Sequence, residues 1–312
     1  MKLKFQYAIV IILLFGFPKF TQSQNIDSTK IGYKRGLIGL FFKKNFDFRN
    51  GFSRIGYHLS KKNSENLVLP KNCSNYKRTF FDSFNTFNPS NWSKGQPWGQ
   101  YHPDFHHQYY GQDQIYVKDG LLHLLNEYKP ITFNPNTKDS VTIPYGTGLI
   151  NSLNQKCFQY GFFAIRSKNP IGPATWPAFW LTGKNNWPPE IDIFEMYGKN
   201  KGQNIHKQTM TVHVGKTENK TKKLLMKSIQ LPKNTDQEFH IYSCLWEPKK
   251  ITFYTDGVKV KTIKLNKWMQ QFYNEPMYII INNALDHEHL QPLKEAQMPQ
   301  DFQVDWVQVY QK

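Results

Sequence analysis

The sequence predicts an all-β protein built as an antiparallel β-sandwich, and three observations carry that prediction. Short runs of β-branched and aromatic residues recur from Phe80 to the C-terminus, bounded by Gly, Pro, Asn and Asp. Amphipathic helical periodicity is scarce over the same span. Two Asp-Gly pairs, Asp119-Gly120 and Asp256-Gly257, separate such runs, and this dipeptide supplies the positive φ that a type I′ hairpin turn requires.

The elements follow in order. Residues 1–23 read as a signal peptide: Lys2 and Lys4 precede an apolar run from Ala8 to Phe17, and Thr21-Gln22-Ser23 offers a small-residue cleavage site. The run falls well short of the ~20 apolar residues a spanning helix needs. We therefore expect an exported protein, extracellular or periplasmic, with no membrane span. Residues 24–76 are rich in Lys, Asn, Ser and Gly and read as an N-terminal extension, partly ordered against the main domain at 77–312. Within that domain the clearest strands are Gln114–Val117, Leu121–Asn126, Gly161–Arg166, Glu190–Met196 and Thr209–Val214. Phe239–Glu247, Ile251–Thr255, Lys259–Ile263, Met277–Ile281 and Phe302–Tyr310 complete the set. The interval 199–223 holds the densest lysine cluster and reads as including a rim loop.

Charge narrows the partners. The formal charge is +17, and removing residues 1–23 takes away three lysines and no acids, leaving +14. Such a surface suits an anionic polysaccharide or cell surface, or is a solvated lysine-rich exterior. No nucleic-acid recognition motif accompanies it. Three cysteines, Cys73, Cys157 and Cys244, allow at most one internal bridge, so disulfides do not organise the fold. We expect a monomer. The aromatic share, 24 Phe, 17 Tyr and 8 Trp, fits either a core or sugar-stacking surfaces.

Chemistry concentrates in Trp187-Pro-Pro-Glu190-Ile-Asp192-Ile-Phe-Glu195-Met-Tyr197-Gly198. Three acids inside an apolar β-type run are costly if buried. Glu190 and Asp192 share a strand face. Glu195 falls on the opposite face unless a β-bulge at Ile193-Phe194 inserts one residue. With that bulge, and with sheet curvature, two carboxylates can flank a glycosidic bond at the ~5–5.5 Å that retaining hydrolysis needs. Asp192 between them would hold their pKa values apart. A calcium site or a solvated acidic strand edge is the alternative for these residues taken alone.

The flanking blocks resemble glycoside hydrolase family 16. Tyr160-Gly161-Phe-Phe-Ala-Ile-Arg166, Trp176-Pro-Ala-Phe-Trp180-Leu and the EIDIFEMYG strand match three family blocks in order. Thr211-Val-His213, the Phe239–Gly257 hairpin and Val304-Asp-Trp-Val-Gln-Val-Tyr310 fit as well. The resemblance covers roughly residues 80–312 and implies a jelly-roll, concanavalin A-like sandwich with a concave substrate cleft. It implies Glu190 as nucleophile, Glu195 as acid/base and Asp192 as supporting acid. The bulged spacing is similar to the laminarinase, agarase and carrageenase branches; lichenases have one residue fewer between the acids. Trp176, Trp180, Arg166, Trp187, Tyr197 and His213 form the implied substrate-contacting set, with Pro177 and Ala178 shaping a turn. The early loop adds Trp98, Tyr101 and His102.

No cofactor is implied. The family's D-E-F, which helps hold a structural calcium, reads Asp82-Ser83-Phe84 here, with Asp305 at the other end; the Ser weakens that site. A zinc site from His102, His106 and His107 matches no common ligand spacing. The usual I-L-N-L-A stretch reads Ile281-Asn282-Asn283-Ala284-Leu285, a change expected to alter a subsite. The expected activity is endo-hydrolysis of a β-linked polysaccharide. Laminarin-type β-1,3-glucan is slightly favoured by the sequence blocks, and a sulfated galactan by the charge. Transglycosylation and a non-catalytic carbohydrate-binding role are the rivals.

Overall fold

The computed structural model describes residues 65–97, 99–100, 107–133, 140–198, 206–215, 223–231, 235–286, 293 and 295–312. The expected signal peptide lies outside the described residues, as does the extension up to residue 64. The strands begin with β1 (Lys77–Asp82), β2 (Ser93–Lys94), β3 (Gln108–Tyr110), β4 (Ile115–Lys118), β5 (Leu121–Phe133) and β6 (Val141–Thr147). Next come β7 (Leu149–Asn151), β8 (Cys157–Phe158), β9 (Gly161–Lys168), β10 (Thr175–Gly183), β11 (Glu190–Met196) and β12 (Lys207–Val214). The last are β13 (Lys223–Gln230), β14 (His240–Glu247), β15 (Lys250–Thr255), β16 (Val258–Lys264), β17 (Met277–Leu285) and β18 (Gln300–Gln311). One short helix, α1 (Lys267–Gln270), follows β16 and is capped by Asn266, whose side chain accepts from the Met269 N–H.

Two sheets result. The ten-stranded sheet runs β16-β15-β14-β9-β18-β5-β6-β3, with β1 on β18 and β4 on β5. The eight-stranded sheet runs β13-β12-β11-β10-β17-β7-β2, with β8 on β17. Pairing is antiparallel apart from the short β3–β6 contact. Both Asp-Gly turns form as expected: φ is 53° and 74° at Asp119 and Gly120, and 47° and 77° at Asp256 and Gly257. Asp256 does more than turn the chain. Its buried carboxylate also accepts from the Ile241 N–H and pairs with His240 Nδ1, each at 2.8 Å.

Strand alternation builds the core between the sheets. Phe163, Ile165, Val307 and Val309 from one sheet meet Phe179, Leu181, Ile191 and Phe194 from the other. Each such side chain contributes about 1.5–3 kcal/mol by leaving water. On β9 the alternate residues Phe162 and Ala164 face the opposite way, where Leu67, Leu69, Cys73 and Tyr76 pack over them. The final stretch of the sequence-defined extension therefore covers part of the outer face of the ten-stranded sheet. On β17, Met277, Ile279 and Ile281 enter the sandwich, while Tyr278 and Ile280 join Tyr110, Leu149 and Trp180 on the sheet's other side.

One local expectation is corrected. Pro177 and Ala178 do not shape a turn; they lie within β10. The β10–β11 ladder runs only from Ala178 to Thr182, so Pro177 stands beyond its end and its missing N–H breaks no rung there. Cys73, Cys157 and Cys244 are free thiols. Lys259, Lys261 and Lys264 lie on the edge strand β16, where charge discourages pairing with another chain.

Candidate active site

The three acids reach one surface because β11 is bulged. Against β12, Glu190 opposes His213, Asp192 opposes Thr211 and Glu195 opposes Thr209, so three steps on β11 match two on its partner. Against β10, Asp192 opposes Trp180 and Phe194 opposes Phe179, which identifies Ile193 as the inserted residue. Ile193 and Phe194 are both buried in the inter-sheet core, and Glu190, Asp192 and Glu195 all line a single cleft.

That cleft has a volume of about 850 Å³. Its floor is β10 and β17: Trp176, Ala178, Trp180, Tyr278, Asn282 and Ala284. Gln96, Pro97, Gln108, Tyr110 and Leu153 form one side, and the loop from Gly183 to Trp187 another. Aromatic faces beside convergent polar groups are the surface that sugar rings stack on. Asn282, where the resemblance expected Leu, accepts from the Trp180 indole N–H at 2.7 Å and donates to the Trp176 carbonyl at 3.4 Å. It thereby fixes the plane of one cleft aromatic.

Each acid has a distinct set of partners. Glu195 accepts from Trp176 Nε1 at 3.1 Å, the Tyr197 hydroxyl at 3.2 Å and the Thr211 hydroxyl at 3.1 Å. The Trp176 and Tyr197 rings stack with centroids 5.5 Å apart. Glu190 accepts from Trp187 Nε1 at 2.8 Å. His213 Nε2 lies 3.0 Å from Glu190 and 3.2 Å from Asp192. Glu190, Asp192 and His213 offer ligand-type atoms within 4.8 Å of one another. The imidazole nitrogen is turned on both carboxylates at hydrogen-bond distance.

Burial pushes all three acids above the usual carboxylate range. Glu190 is raised by burial and by neighbouring Asp192, with His213 and the Trp187 N–H opposing. Asp192 is raised by burial and then by Glu195, while a hydrogen bond with Glu190 opposes. Glu195 is raised by burial against the pull of its Thr211, Trp176 and Tyr197 donors. An upward shift of this kind favours the protonated form of a carboxyl, the form a general acid needs.

Of the sequence-expected substrate contacts, Trp176, Trp180 and Trp187 line the cleft, and Tyr197 and His213 touch the acids. Arg166 is not brought there, which corrects its assignment. It lies on β9 of the other sheet, paired with Asp305, its guanidinium 4.8 Å above the Phe239 ring. β9 alternation sends Phe163 and Ile165 into the core and Arg166 to the outer face with Ala164. Trp98, Tyr101 and His102 lie outside the described residues, as does His106. Of the acids suggested for calcium, Asp82 accepts from the Phe84 N–H, Asn91 and Trp92, and Asp305 pairs with Arg166. Tyr110, Tyr278 and Lys184 line the cleft without having been singled out in the sequence. No motif marks them; strand alternation and one loop bring them there.

Comparison with known proteins adds four findings. The model of glycosyl hydrolases family 16 matches residues 104–308. The glucan endo-1,3-beta-glucosidase A1 of Niallia circulans is 26% identical over 247 residues, covering 69% of this chain and 33% of that protein. The keratan-sulfate endo-1,4-beta-galactosidase of Sphingobacterium multivorum is 27% identical over 178 residues, covering 54% of this chain and 40% of that protein. This chain thus spans about a third of the length of the glucanase relative. Among solved structures, laminarinase from Flavobacterium sp. UMI-01 matches with a TM-score of 0.61 at 27% identity, over 75% of this chain and 100% of that one.

Proposed function

The chain belongs to glycosyl hydrolases family 16, and from that premise we propose that it is an exported, retaining endo-β-glycosidase acting on a neutral β-1,3-glucan of the laminarin type. The observation that carries the reading is the bulged strand that aims Glu190, Asp192 and Glu195 into an aromatic cleft. Export rests on the N-terminal Lys2, Lys4 and Ala8–Phe17 pattern.

The mechanism follows from the partners of each acid. A carboxylate oxygen of Glu190 attacks the anomeric carbon as the bond to the leaving sugar oxygen breaks. Glu195 gives its proton to that oxygen. Water then enters, Glu195 takes a proton from it, and the new bond to the anomeric carbon releases Glu190. The Trp187 N–H and His213 favour the Glu190 anion before attack. Trp176, Tyr197 and Thr211 orient the Glu195 carboxyl. Asp192, the deepest of the three, keeps a proton within the cluster as Glu190 gains and loses charge.

Neutral substrate is supported by the charge around the cleft. Lys184 is the one basic side chain among the described residues that line it, while lysines gather on edge strand β16. A second reading, a sulfated galactan, rests on Lys184 itself and on the formal charge of +17. Reducing-end release from laminarin, mixed-linkage glucan, agarose, porphyran and κ-carrageenan tests both. Release from a glucan alone supports the first reading, and release from a sulfated galactan alone replaces it. Silence on every polymer by folded protein would leave a glycan outside the panel or the carbohydrate-binding role.

A further inference from the structure

We propose that Tyr273 is a positioning residue for the nucleophile, holding Glu190 and His213 in register from beneath the cleft. This rests on the glycosidase reading above. Tyr273 is fully buried, and its hydroxyl lies 2.6 Å from the His213 carbonyl oxygen and 3.0 Å from that of Glu190. Those two residues face each other at the first rung of the β11–β12 ladder. The ladder cannot extend further back along β11, because Pro188 and Pro189 precede Glu190 and prolines have no N–H. A strand end that should fray carries the attacking carboxylate, and one phenolic hydroxyl lies within donating distance of a backbone carbonyl on each of the two strands, the shorter contact being to His213.

The segment around Tyr273 is built as a bracket. Asn274 accepts from Gln159 at 3.1 Å and from the Tyr160 hydroxyl at 3.3 Å. Glu275 accepts from the Asn185 backbone and the Asn186 side chain. The Pro276 carbonyl accepts from the Lys184 N–H at 3.0 Å. The same four-residue stretch therefore pins the loop that carries Trp187, the indole that donates to Glu190. Nothing in this stretch touches the substrate space directly; it acts through Glu190, His213 and Trp187.

Removing the hydroxyl frees the Glu190–His213 pair. The charged and titratable groups facing Glu190 are Asp192 and Glu195 on its own strand, His213 on β12, Tyr273 below and Tyr278 on β17. Of these, His213 favours the Glu190 anion and the neighbouring acids oppose it. Loosening His213 makes the nucleophile harder to ionise, so the acidic limb of the rate profile moves to higher pH.

The experiment compares wild type, Tyr273→Phe and Asn274→Ala on laminarin and on a 2,4-dinitrophenyl β-oligoglucoside, whose leaving group needs no proton. For Tyr273→Phe we expect kcat to fall about tenfold with KM within about twofold, the acidic limb to move up, and the defect to persist on the activated substrate. Asn274→Ala, which weakens the same segment without touching the hydroxyl, should melt lower yet keep the wild-type limb. A Tyr273→Phe profile identical to wild type, or a defect cured by the activated substrate, overturns the proposal alone. Wild-type silence on both substrates and on every polymer of the panel above overturns the glycosidase reading and the proposal with it.

Discussion

Asn282→Leu tests how the cleft fixes its aromatic floor. The change places an aliphatic side chain where the wild type accepts the Trp180 indole N–H at 2.7 Å, and it also removes the 3.4 Å bond to the Trp176 carbonyl. A neutral hydrogen bond contributes about 1 kcal/mol net, and water entering the open cleft can replace part of it. Stability should therefore drop by no more than about 1 kcal/mol. Binding should suffer more specifically. Trp180 becomes free to rotate, and re-immobilising such a side chain costs about 0.5–1.5 kcal/mol, or a roughly two- to thirteenfold rise in KM with kcat unchanged. The assay is initial-rate kinetics on laminarin for Asn282→Leu, Trp180→Phe and the double variant. If Asn282 acts through the indole N–H, the double variant should match Trp180→Phe alone. Additive losses, or a fall in kcat, would refute this account.

Three further outcomes are expected. Asp192→Asn removes a carboxyl whose folded-state pKa is raised by burial and by Glu195; such a group opposes folding progressively as pH rises above its unfolded value, so the variant should melt higher than wild type at pH 7, gain little at pH 4, and lose activity. Thermal melts at the two pH values check the sign. Phe194→Ala empties a fully buried site packed on Tyr242 and Phe302, with ring centroids at 4.6 and 6.0 Å; a loss of about 3–5 kcal/mol should lower Tm by on the order of 10 °C, measurable by calorimetry. Lys184→Ala should leave turnover of a neutral glucan within about twofold, because an exposed ammonium with no anionic partner on the substrate contributes little; a collapse of activity confined to sulfated polymer would favour the galactan reading.

Much of this architecture could be read from residue order because its signals are local. Phe163 and Ile165 alternate with Phe162 and Ala164, and both Asp-Gly turns form where the dipeptide stands. The bulge was legible too, since Glu190 and Glu195 cannot share a regular strand face. What failed was information that depends on partners. Alternation places Arg166 off the core, but whether that surface is the cleft or the opposite exterior depends on which sheet takes β9. β10 was obscured by Pro177, whose cost depends on where a neighbouring ladder ends. Tyr273 follows a four-residue helix and carries no pattern; only the tertiary fold puts its hydroxyl under the acids.

The bulge also bears on how this strand could change length. A regular strand presents side chains to one face only at even separations, and Glu190 and Glu195 are separated by an odd number. Ile193 converts odd to even. Deleting Ile193 would therefore not turn Glu195 into the core. The remaining order, Glu190, Ile191, Asp192, Phe194, Glu195, restores strict alternation, with all three acids outward and both apolar residues inward. What such a chain would lose is one core side chain, the local twist, and roughly 3.3 Å of run along the strand. What the fold requires of these acids is a common facing and not one fixed spacing, so one residue can be lost here as the bulge disappears, with the facing of every acid preserved.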